Sequence, residues 1–195
     1  MRLLKLWLVR HGQTAWNKEG RWQGHTDVPL DEEGRAQASA LAERLRDERL
    51  AGVASSDLSR AIETARAIAD VHRLPLLGPF AELRERGYGV FEGLTREECE
   101  AQFPDLVRSG PALGLLEPPG SEPRAEVGAR LERIVRALAE AHAREEAPLV
   151  LVSHGGAIRN FLARVTGETV PPVANTGIYT LDYDGRGFSG ARLLP

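Results

Sequence analysis

Cysteine, methionine and lysine are nearly absent from this sequence of 195 residues, which has one cysteine, one methionine and two lysines. The single cysteine, Cys99, excludes an internal disulfide and any metal site built from several thiolates, so we expect a cytoplasmic protein. Because lysine is scarce, arginine carries almost all of the positive charge. A GC-rich genome and a hot habitat both explain this composition, and the sequence leaves the choice open.

Long apolar runs and an excess of positive charge are also missing. The first residues, MRLLKLWLVRHG, are apolar only briefly, are interrupted by Lys5 and lack a small-residue cleavage site, so we expect neither a signal peptide nor a membrane span. The 25 basic and 28 acidic residues give a net charge of −3. This balance argues against general binding to nucleic acid or to an anionic membrane.

Short apolar runs alternate with amphipathic segments along the chain. In order, the patterns predict a strand at 3–9, a helix from about 31 to 50, a strand at 52–55, a helix from about 59 to Pro75, a helix at 122–146, a strand at 149–153, a helix at 157–165 and a hairpin at 178–194. This alternation predicts an α/β three-layer sandwich with a mostly parallel central sheet and helices on both faces.

Residues 80–121 interrupt the alternation, with scattered glycine and proline and one short helix that starts at a capping box, Thr95 to Glu98. We interpret this stretch as a lid-like insertion over one end of the sheet, within a single domain that spans residues 1–195. Upstream, Asp57 or Ser59 is expected to cap the helix that carries Arg60.

Two predicted strands end in the same way. The strand LWLV is followed by Arg10-His11-Gly12, and the strand LVLV is followed by Ser153-His154 and two glycines. In a parallel sheet both histidines would lie at the edge where α/β proteins bind ligands. A helix that starts after the second histidine would direct free N–H groups to this edge and favour an anion.

Arg60 stands in the first turn of a predicted helix, where a positive charge opposes the helix dipole. A surface ion pair with Glu63 would stabilise the helix by only ~0.2–0.5 kcal/mol. Phosphate is the more persuasive partner, because a guanidinium group binds two of its oxygens at once.

Two roles remain open for the paired histidines on these grounds. Both could bind a metal ion, although no paired metal motif and no third ligand stand nearby in the sequence. Alternatively, one neutral imidazole attacks phosphorus while the other, protonated, holds the phosphoryl oxygens. The alcohol that leaves would then need a proton from a nearby carboxylic acid.

Five segments make the sequence resemble the histidine phosphatase superfamily, in its phosphoglycerate mutase-like branch. They are LVRHGQTAWN (8–17), WQGHTDVPLDEEG (22–34), SSDLSRAIETA (55–65), LRERGYGVFEG (83–93) and VSHGG (152–156). The resemblance covers nearly the whole chain, and the five segments occur in the same order as in the family.

The resemblance implies a role for each matched residue. His11 would carry the phosphoryl group and Glu85 would protonate the leaving group, with Glu82 as a competing candidate outside the family pattern. The expected grip on the phosphoryl oxygens comes from Arg10, Arg60 and His154. The expected substrate contacts come from Asn17, Gln23, Gly24 and Gly155. No metal ion or other cofactor is implied, and Asn175 either approaches this pocket or belongs to an ordinary turn.

The family contains both phosphatases and phosphoglycerate mutases. Mutases that resemble this chain are longer and carry an adjacent arginine pair after the LxERxYG segment, whereas this chain has isolated Arg96 and Arg108 followed by EPPGSEP. We therefore expect a metal-independent phosphomonoesterase acting on a small phosphorylated metabolite, with a cofactor-dependent mutase and a non-catalytic phosphate-binding module as alternatives. No nucleic-acid or membrane partner is expected, and a homodimer is possible.

Overall fold

A six-stranded sheet runs through the computed structural model, which describes residues 3–109 and 115–194. The strands are β1 (Leu4–Arg10), β2 (Gly52–Ser56), β3 (Leu76–Phe80), β4 (Leu149–Ser153), β5 (Ile178–Tyr183) and β6 (Phe188–Leu193). Their order across the sheet is β3-β2-β4-β1-β5-β6. The first four are mutually parallel, while β5 and β6 are antiparallel to their neighbours. The predicted mostly parallel sheet is confirmed.

Helices cover both faces of this sheet. The helices are α1 (Ala15–Lys18), α2 (Glu32–Arg44), α3 (Ser59–His72), α4 (Arg96–Gln102), α5 (Pro104–Ser109), α6 (Arg124–Ala141) and α7 (Gly155–Thr166). Helices α2 and α3 contribute to one apolar core, and α6 and α7 contribute to the other. The three-layer sandwich is therefore confirmed. No helix among the described residues is both long and apolar enough to span a membrane.

Strand β1 shows how the sequence divides between the two cores. Leu6 and Leu8 belong to the core under α6 and α7, whereas Trp7 and Val9 belong to the core under α2 and α3. Successive residues of a strand point to opposite faces, so a strand covered on both sides needs a continuous apolar run. Strand β4 has the same property, and all five of its residues are buried.

The pairing of β1 with β4 positions the site. The two strands are parallel neighbours in which Arg10 is opposite Ser153. The pairing continues one residue further, because the backbone N–H of His11 donates to the carbonyl of Ser153 over 3.1 Å. The two histidine-bearing ends therefore leave the same edge of the sheet side by side.

Several element boundaries differ from the sequence predictions. Strand β3 was not predicted, because it is a half-exposed edge strand whose Gly78-Pro79 pair hides the apolar pattern. Helix α2 ends at Arg44, six residues before the predicted end, and α6 covers only residues 124–141, with Pro123 as its N-cap. The charged residues beyond Ala141 favour a helix intrinsically but have little apolar surface with which to pack.

The insertion at 80–121 has a small core of its own, in which Phe91, Cys99 and Leu116 are buried. It contains two short helices, α4 and α5, instead of the single one predicted. The expected capping box is present, with reciprocal hydrogen bonds between Thr95 and Glu98 at the start of α4. The interpretation of this insertion as a lid stays a prediction, and its residues 110–114 lie outside the described part of the chain.

The predicted caps of α3 were wrong. Leu58 is the N-cap residue and makes no side-chain capping bond. Asp27, 32 residues upstream, instead accepts from both the backbone N–H and the hydroxyl of Ser59, each over 2.8 Å. Asp57 is engaged elsewhere, in a two-point ion pair with Arg84. A loop that is distant in sequence therefore caps the helix that carries Arg60.

Replacing Asp27 with alanine should destabilise the protein by about 1 kcal/mol, because the first N–H of α3 loses its acceptor. Urea unfolding monitored by circular dichroism measures the change. Asp70→Ala, an exposed substitution in the same helix, is the control and should leave the stability nearly unchanged. Equal effects of the two substitutions would contradict the capping role.

Candidate active site

His11 and His154 meet at the edge where β1 and β4 end. Their ring centroids are 5.0 Å apart and the rings are inclined at 59°. Both side chains are buried. The predicted encounter of the two imidazoles, 143 positions apart in the sequence, is therefore present in the structure.

The backbone determines which nitrogen of His11 is free. The Nδ1 atom lies 2.6 Å from the carbonyl oxygen of Gly12. A carbonyl can only accept, so Nδ1 must carry the proton, and Nε2 then holds the lone pair in the neutral ring. In His154 the Nε2 atom is hydrogen-bonded to the hydroxyl of Ser56 over 2.9 Å.

Arg10, which is half-buried, and Arg60, which is buried, bring two positive charges to this pair. Arg10 donates through Nη1 to the carbonyl of Val173, and Arg60 donates to the carbonyls of Gly24 and Thr26, all over 2.9 Å. Arg60 therefore does not pair with Glu63, the surface alternative raised by the sequence. Neither guanidinium has an ion-pair partner among the described residues.

Four buried polar atoms around the histidines have no hydrogen-bond partner in the described part of the chain. They are Nε of Arg10, Nε of Arg60, Nδ1 of His154 and Oε1 of Gln23. Buried polar groups are nearly always satisfied, so such a cluster needs an explanation. A bound anion would supply acceptors for the two guanidinium N–H groups.

A cavity of about 720 Å³ opens beside these groups. The predicted site residues that line it are Arg10, His11, Asn17, Gln23, Arg60, Glu85 and Gly155. Two predicted residues do not line it. The ring of His154 is tilted against that of His11, and the carbonyl of Gly24 accepts from Arg60.

Asn17 and Asn175 form a small network at the cavity wall. The Oδ1 atom of Asn17 accepts from the backbone N–H of Thr14 over 3.2 Å and from Nδ2 of Asn175 over 3.3 Å. Asn175 also donates to the carbonyl of His11 over 2.9 Å. Asn175 lies in a turn, as one of the two alternatives expected, and does not itself line the cavity, but it braces the backbone of His11 and contacts Asn17, which lines it.

Glu85, in the insertion, lines the same cavity as His11. Its carboxylate accepts from the backbone N–H of Gly156 over 2.9 Å and from that of Arg86 over 2.8 Å. Helix α7 starts at Gly155, two residues earlier than predicted. One of the N–H groups expected to be free for an anion is consequently occupied by Glu85, a carboxylate in the position that the helix dipole favours.

The structure separates Glu85 from its competitor. Glu82 is exposed and does not line the cavity, whereas Glu85 is half-buried and lines it. Gly156 leaves no room between Glu85 and Tyr88, because a Cβ atom there would stand 2.6 Å from the carboxylate and 2.8 Å from the phenol oxygen.

The pKa values of both site histidines are lowered well below the ordinary value of 6.5. For His11 the causes are burial first, then the charges of Arg60 and Arg10. For His154 they are burial and the charge of Arg60. A neutral His11, as a nucleophile requires, agrees with this lowered pKa. Burial lowers the pKa more than the charges of the two arginines do. The expected protonated His154 does not hold for the ligand-free protein, because burial opposes any charge there. Burial also lowers the pKa of Arg60 to about 10.

Sequence reasoning missed several residues that line the cavity. They include Arg86, Tyr88, Leu115, Arg124, Arg159 and Asn160. Arg86 and Tyr88 lie within a quoted family segment, and Arg159 and Asn160 follow the second histidine in helix α7, so these four had a local signal. Arg124 had none, because it looks like an ordinary residue of a helix start.

The described residues contain no group of three or more histidine, cysteine, aspartate or glutamate side chains arranged to hold a metal ion.

Comparison with known proteins gives the family. The model of the histidine phosphatase superfamily (branch 1) matches residues 6–193. Phosphoglycerate mutase-like protein 4 of Arabidopsis thaliana is 36% identical over 177 residues, 88% of this chain and 76% of that protein. The metal-independent phosphoserine phosphatase of the same plant is 36% identical over 162 residues, 82% of this chain and 67% of that protein. The chain belongs to the histidine phosphatase superfamily and is a phosphoric monoester hydrolase.

A solved structure agrees with this assignment. The mycobacterial glucosyl-3-phosphoglycerate phosphatase, in complex with VO3, superposes with a TM-score of 0.85 at 30% identity and covers 97% of each chain.

The two buried histidines should make stability depend on pH. The unfolded chain binds more protons than the native state below pH ~6.5, because unfolding restores the ordinary histidine pKa. The protein should therefore become less stable as the pH drops below about 6.5. The free energy of unfolding should fall by up to about 1.4 kcal/mol per pH unit for each histidine. Urea unfolding at pH 7, 6 and 5 measures this slope.

The double substitution His11→Asn/His154→Asn should flatten the pH dependence between pH 7 and 5. His142→Asn, at the end of α6, is the control and should retain it. An unchanged slope in the double variant would contradict the assignment.

Proposed function

We propose that the chain hydrolyses phosphate monoesters of small metabolites in two steps, through a phosphohistidine at His11 and without a metal ion. The supporting observation is one wall of the cavity, where two imidazoles 5.0 Å apart are flanked by desolvated guanidinium groups with unsatisfied N–H donors. Such a wall suits a phosphoryl dianion, which supplies both the acceptors and the negative charge.

In the first step, Nε2 of His11 attacks phosphorus in line with the departing alcohol. The phosphorus–nitrogen bond forms as the ester phosphorus–oxygen bond breaks, and the carboxyl group of Glu85 gives its proton to the leaving oxygen. Arg10 and Arg60 stabilise the charge on the equatorial oxygens, a preorganised contribution of several kcal/mol in sites of this kind, about 3–4 per donor.

In the second step, water attacks the phosphorus and the phosphorus–nitrogen bond breaks. The carboxylate of Glu85 takes a proton from this water, inorganic phosphate forms and neutral His11 is restored. A bound dianion raises the pKa of a neighbouring imidazole. His154, neutral in the free protein, therefore gains a proton as the phosphoryl group binds and stabilises the phosphoryl charge from its place beside the ring of His11.

Hydrolysis is favoured over phosphoryl transfer between hydroxyls. The described part of the insertion lacks the adjacent arginine pair that the resemblance associates with mutases. A mutase would be activated by 2,3-bisphosphoglycerate and would interconvert 2- and 3-phosphoglycerate. A hydrolase releases inorganic phosphate from simple esters in excess chelator, and this assay discriminates between the two activities.

His11→Ala should abolish turnover while leaving the binding of phosphate ester intact, because the nucleophile is lost and the guanidinium groups remain. Rapid quenching with 32P-labelled ester should trap an alkali-stable, acid-labile phosphoenzyme in the wild type only. His142→Ala is the control. Unchanged turnover of His11→Ala would end the nucleophile proposal, and loss of ester binding would leave the guanidinium groups without their proposed role.

Three further arginines that line the cavity indicate a second negative charge on the substrate. Burial and the charge of Glu85 raise the pKa of Tyr88, whereas the charges of Arg86, Arg159 and Arg124 act to lower it, so all three arginines lie close enough to influence this side chain. None of the three has an ion-pair partner within 4.0 Å among the described residues. Arg21 also lines the cavity but is neutralised by Glu98 and by a second carboxylate.

We therefore favour esters whose alcohol portion carries a carboxylate or a second phosphate. Phosphoserine and glucosyl-3-phosphoglycerate, named as substrates in two of the proteins compared above, both have a carboxylate. Arg124 is better placed than Arg86 to discriminate, because Arg86 is buried and donates to the carbonyls of Leu116 and Glu122.

Arg124→Met should lower kcat/KM for phosphoserine and 3-phosphoglycerate by roughly 10-fold or more, because a hydrogen bond to a charged group contributes about 1.5–3 kcal/mol. Hydrolysis of glycerol 2-phosphate, whose alcohol portion is uncharged, should be unaffected. Arg133→Met, exposed on the same helix, is the control. Equal losses on all three esters would contradict a second anion site.

The cytosolic location and the homodimer stay predictions of the sequence.

A further inference from the structure

The guanidinium group of Arg130, on α6, has all five of its N–H donors engaged within the protein. Nη1 donates to the carbonyls of Glu82 and Arg84 over 2.7 and 2.8 Å, and Nη2 donates to the carbonyl of Glu85 over 2.8 Å. The remaining two donors bind both carboxylate oxygens of Glu122, over 2.6 and 2.8 Å. Five is the full donor capacity of an arginine side chain.

Glu122 holds the other side of the same segment. Its carbonyl accepts from Nε of Arg86 over 2.7 Å, and its backbone N–H donates to the carbonyl of Gly87 over 2.9 Å. Burial acts to raise the pKa of its carboxyl group, but the pairing with Arg130 and the N–H of Gly87 outweigh burial, so the pKa is lowered. The carboxylate is therefore charged and firmly paired.

These contacts, which we name the Arg130 clamp, enclose residues 82–87 from both sides. Arg130 binds three carbonyls at and before Glu85, and Glu122 binds the two residues after it. The segment contains no helix or strand of its own beyond one short turn, so the clamp satisfies backbone groups that secondary structure leaves open. Arg130 does not line the cavity and has no donor left for a ligand.

We infer that Arg130 is a positioning residue, which sets where the carboxyl group of Glu85 stands relative to the leaving oxygen of the substrate. The inference rests on the proposed function, in which Glu85 is the proton donor. A general acid works only within hydrogen-bond reach of the atom it protonates. A displacement of about 1 Å can lower a rate by roughly 100-fold.

The geometry requires an arginine at this position. A lysine keeps the positive charge and can pair with Glu122, but its single nitrogen has three donors and no planar fork. It cannot bind three carbonyls and a carboxylate together. Arg130 also contributes to the lowered pKa of His154 through its charge. Arg130→Lys retains that charge and so separates placement of Glu85 from electrostatics at the histidines.

The test compares two esters that differ in their need for an acid. Glycerol 2-phosphate releases a poor leaving group that must be protonated, whereas 4-nitrophenyl phosphate releases a stable anion. The value of kcat/KM reports only the steps up to release of the alcohol, so hydrolysis of the phosphoenzyme does not enter. Arg130→Met and Arg130→Lys should lower kcat/KM for glycerol 2-phosphate by roughly 10- to 100-fold. For 4-nitrophenyl phosphate the loss should stay within about threefold, because the general acid contributes little there.

A double-mutant cycle assigns the effect to Glu85. Glu85→Gln alone should lower the ratio of alkyl to aryl kcat/KM, and adding Arg130→Met to it should change that ratio by less than about twofold, because both act on one interaction. Arg136→Met is the matched control. It removes an arginine of the same helix that binds Glu132 and the carbonyl of Arg186, with no contact to residues 82–87 among the described hydrogen bonds.

The outcomes distinguish the inference from the proposed function. If kcat/KM fell equally for both esters in the two Arg130 variants, the clamp would have only a structural role. That result would overturn the inference, while the role of Glu85 would stand. If Glu85→Gln left the ratio of alkyl to aryl kcat/KM unchanged, Glu85 would not be the proton donor, and the inference would be overturned as well. Thermal unfolding shows whether Arg130→Met is folded, and where it is not, Arg130→Lys decides alone.

Discussion

The parallel pairing of β1 with β4 is the constraint on which the site depends. This pairing carries two chain segments 143 residues apart to one edge of the sheet and fixes them there by the bond from His11 N–H to the carbonyl of Ser153. A shift of one residue would exchange the faces of every side chain in the strand, so both apolar cores oppose it. The encounter of the two imidazoles is thus determined by hydrophobic burial far from the cavity.

The surroundings of this edge illustrate how a protein holds positive charge ready for an anion. Arg10 and Arg60 are kept in place by carbonyl oxygens and not by carboxylates. Carbonyl dipoles orient a guanidinium group without cancelling its charge, whereas an ion pair would compete with a ligand. Burial without a counter-ion is costly, and the lowered pKa of both arginines reflects that cost. Other arginines are neutralised by carboxylates, as Arg84 is by Asp57.

Features that depend on residues close together in the sequence could be predicted, whereas features that depend on distant residues could not. Five of the six strands, the sandwich and the position of the two histidines could be predicted because each depends on a local pattern that repeats. Glu85 was found only through its family segment, since one glutamate in an irregular loop has no periodic signal. The Asp27 cap and the contacts of Arg130 join residues 32 and 45 to 48 positions apart, and no local pattern marks such partners. Strand β3 was missed for another reason, because an edge strand needs few apolar residues and so shows only a weak apolar pattern.

The burial of Cys99 has a practical consequence. Its side chain lies in the small core of the insertion, and burial raises the pKa of its thiol, so it reacts poorly with maleimides and similar reagents. A cysteine engineered at the rim of the cavity would then be the single labelling position, without removal of the native one. A spin label or fluorophore attached there would report directly on the separation of the insertion from the sheet.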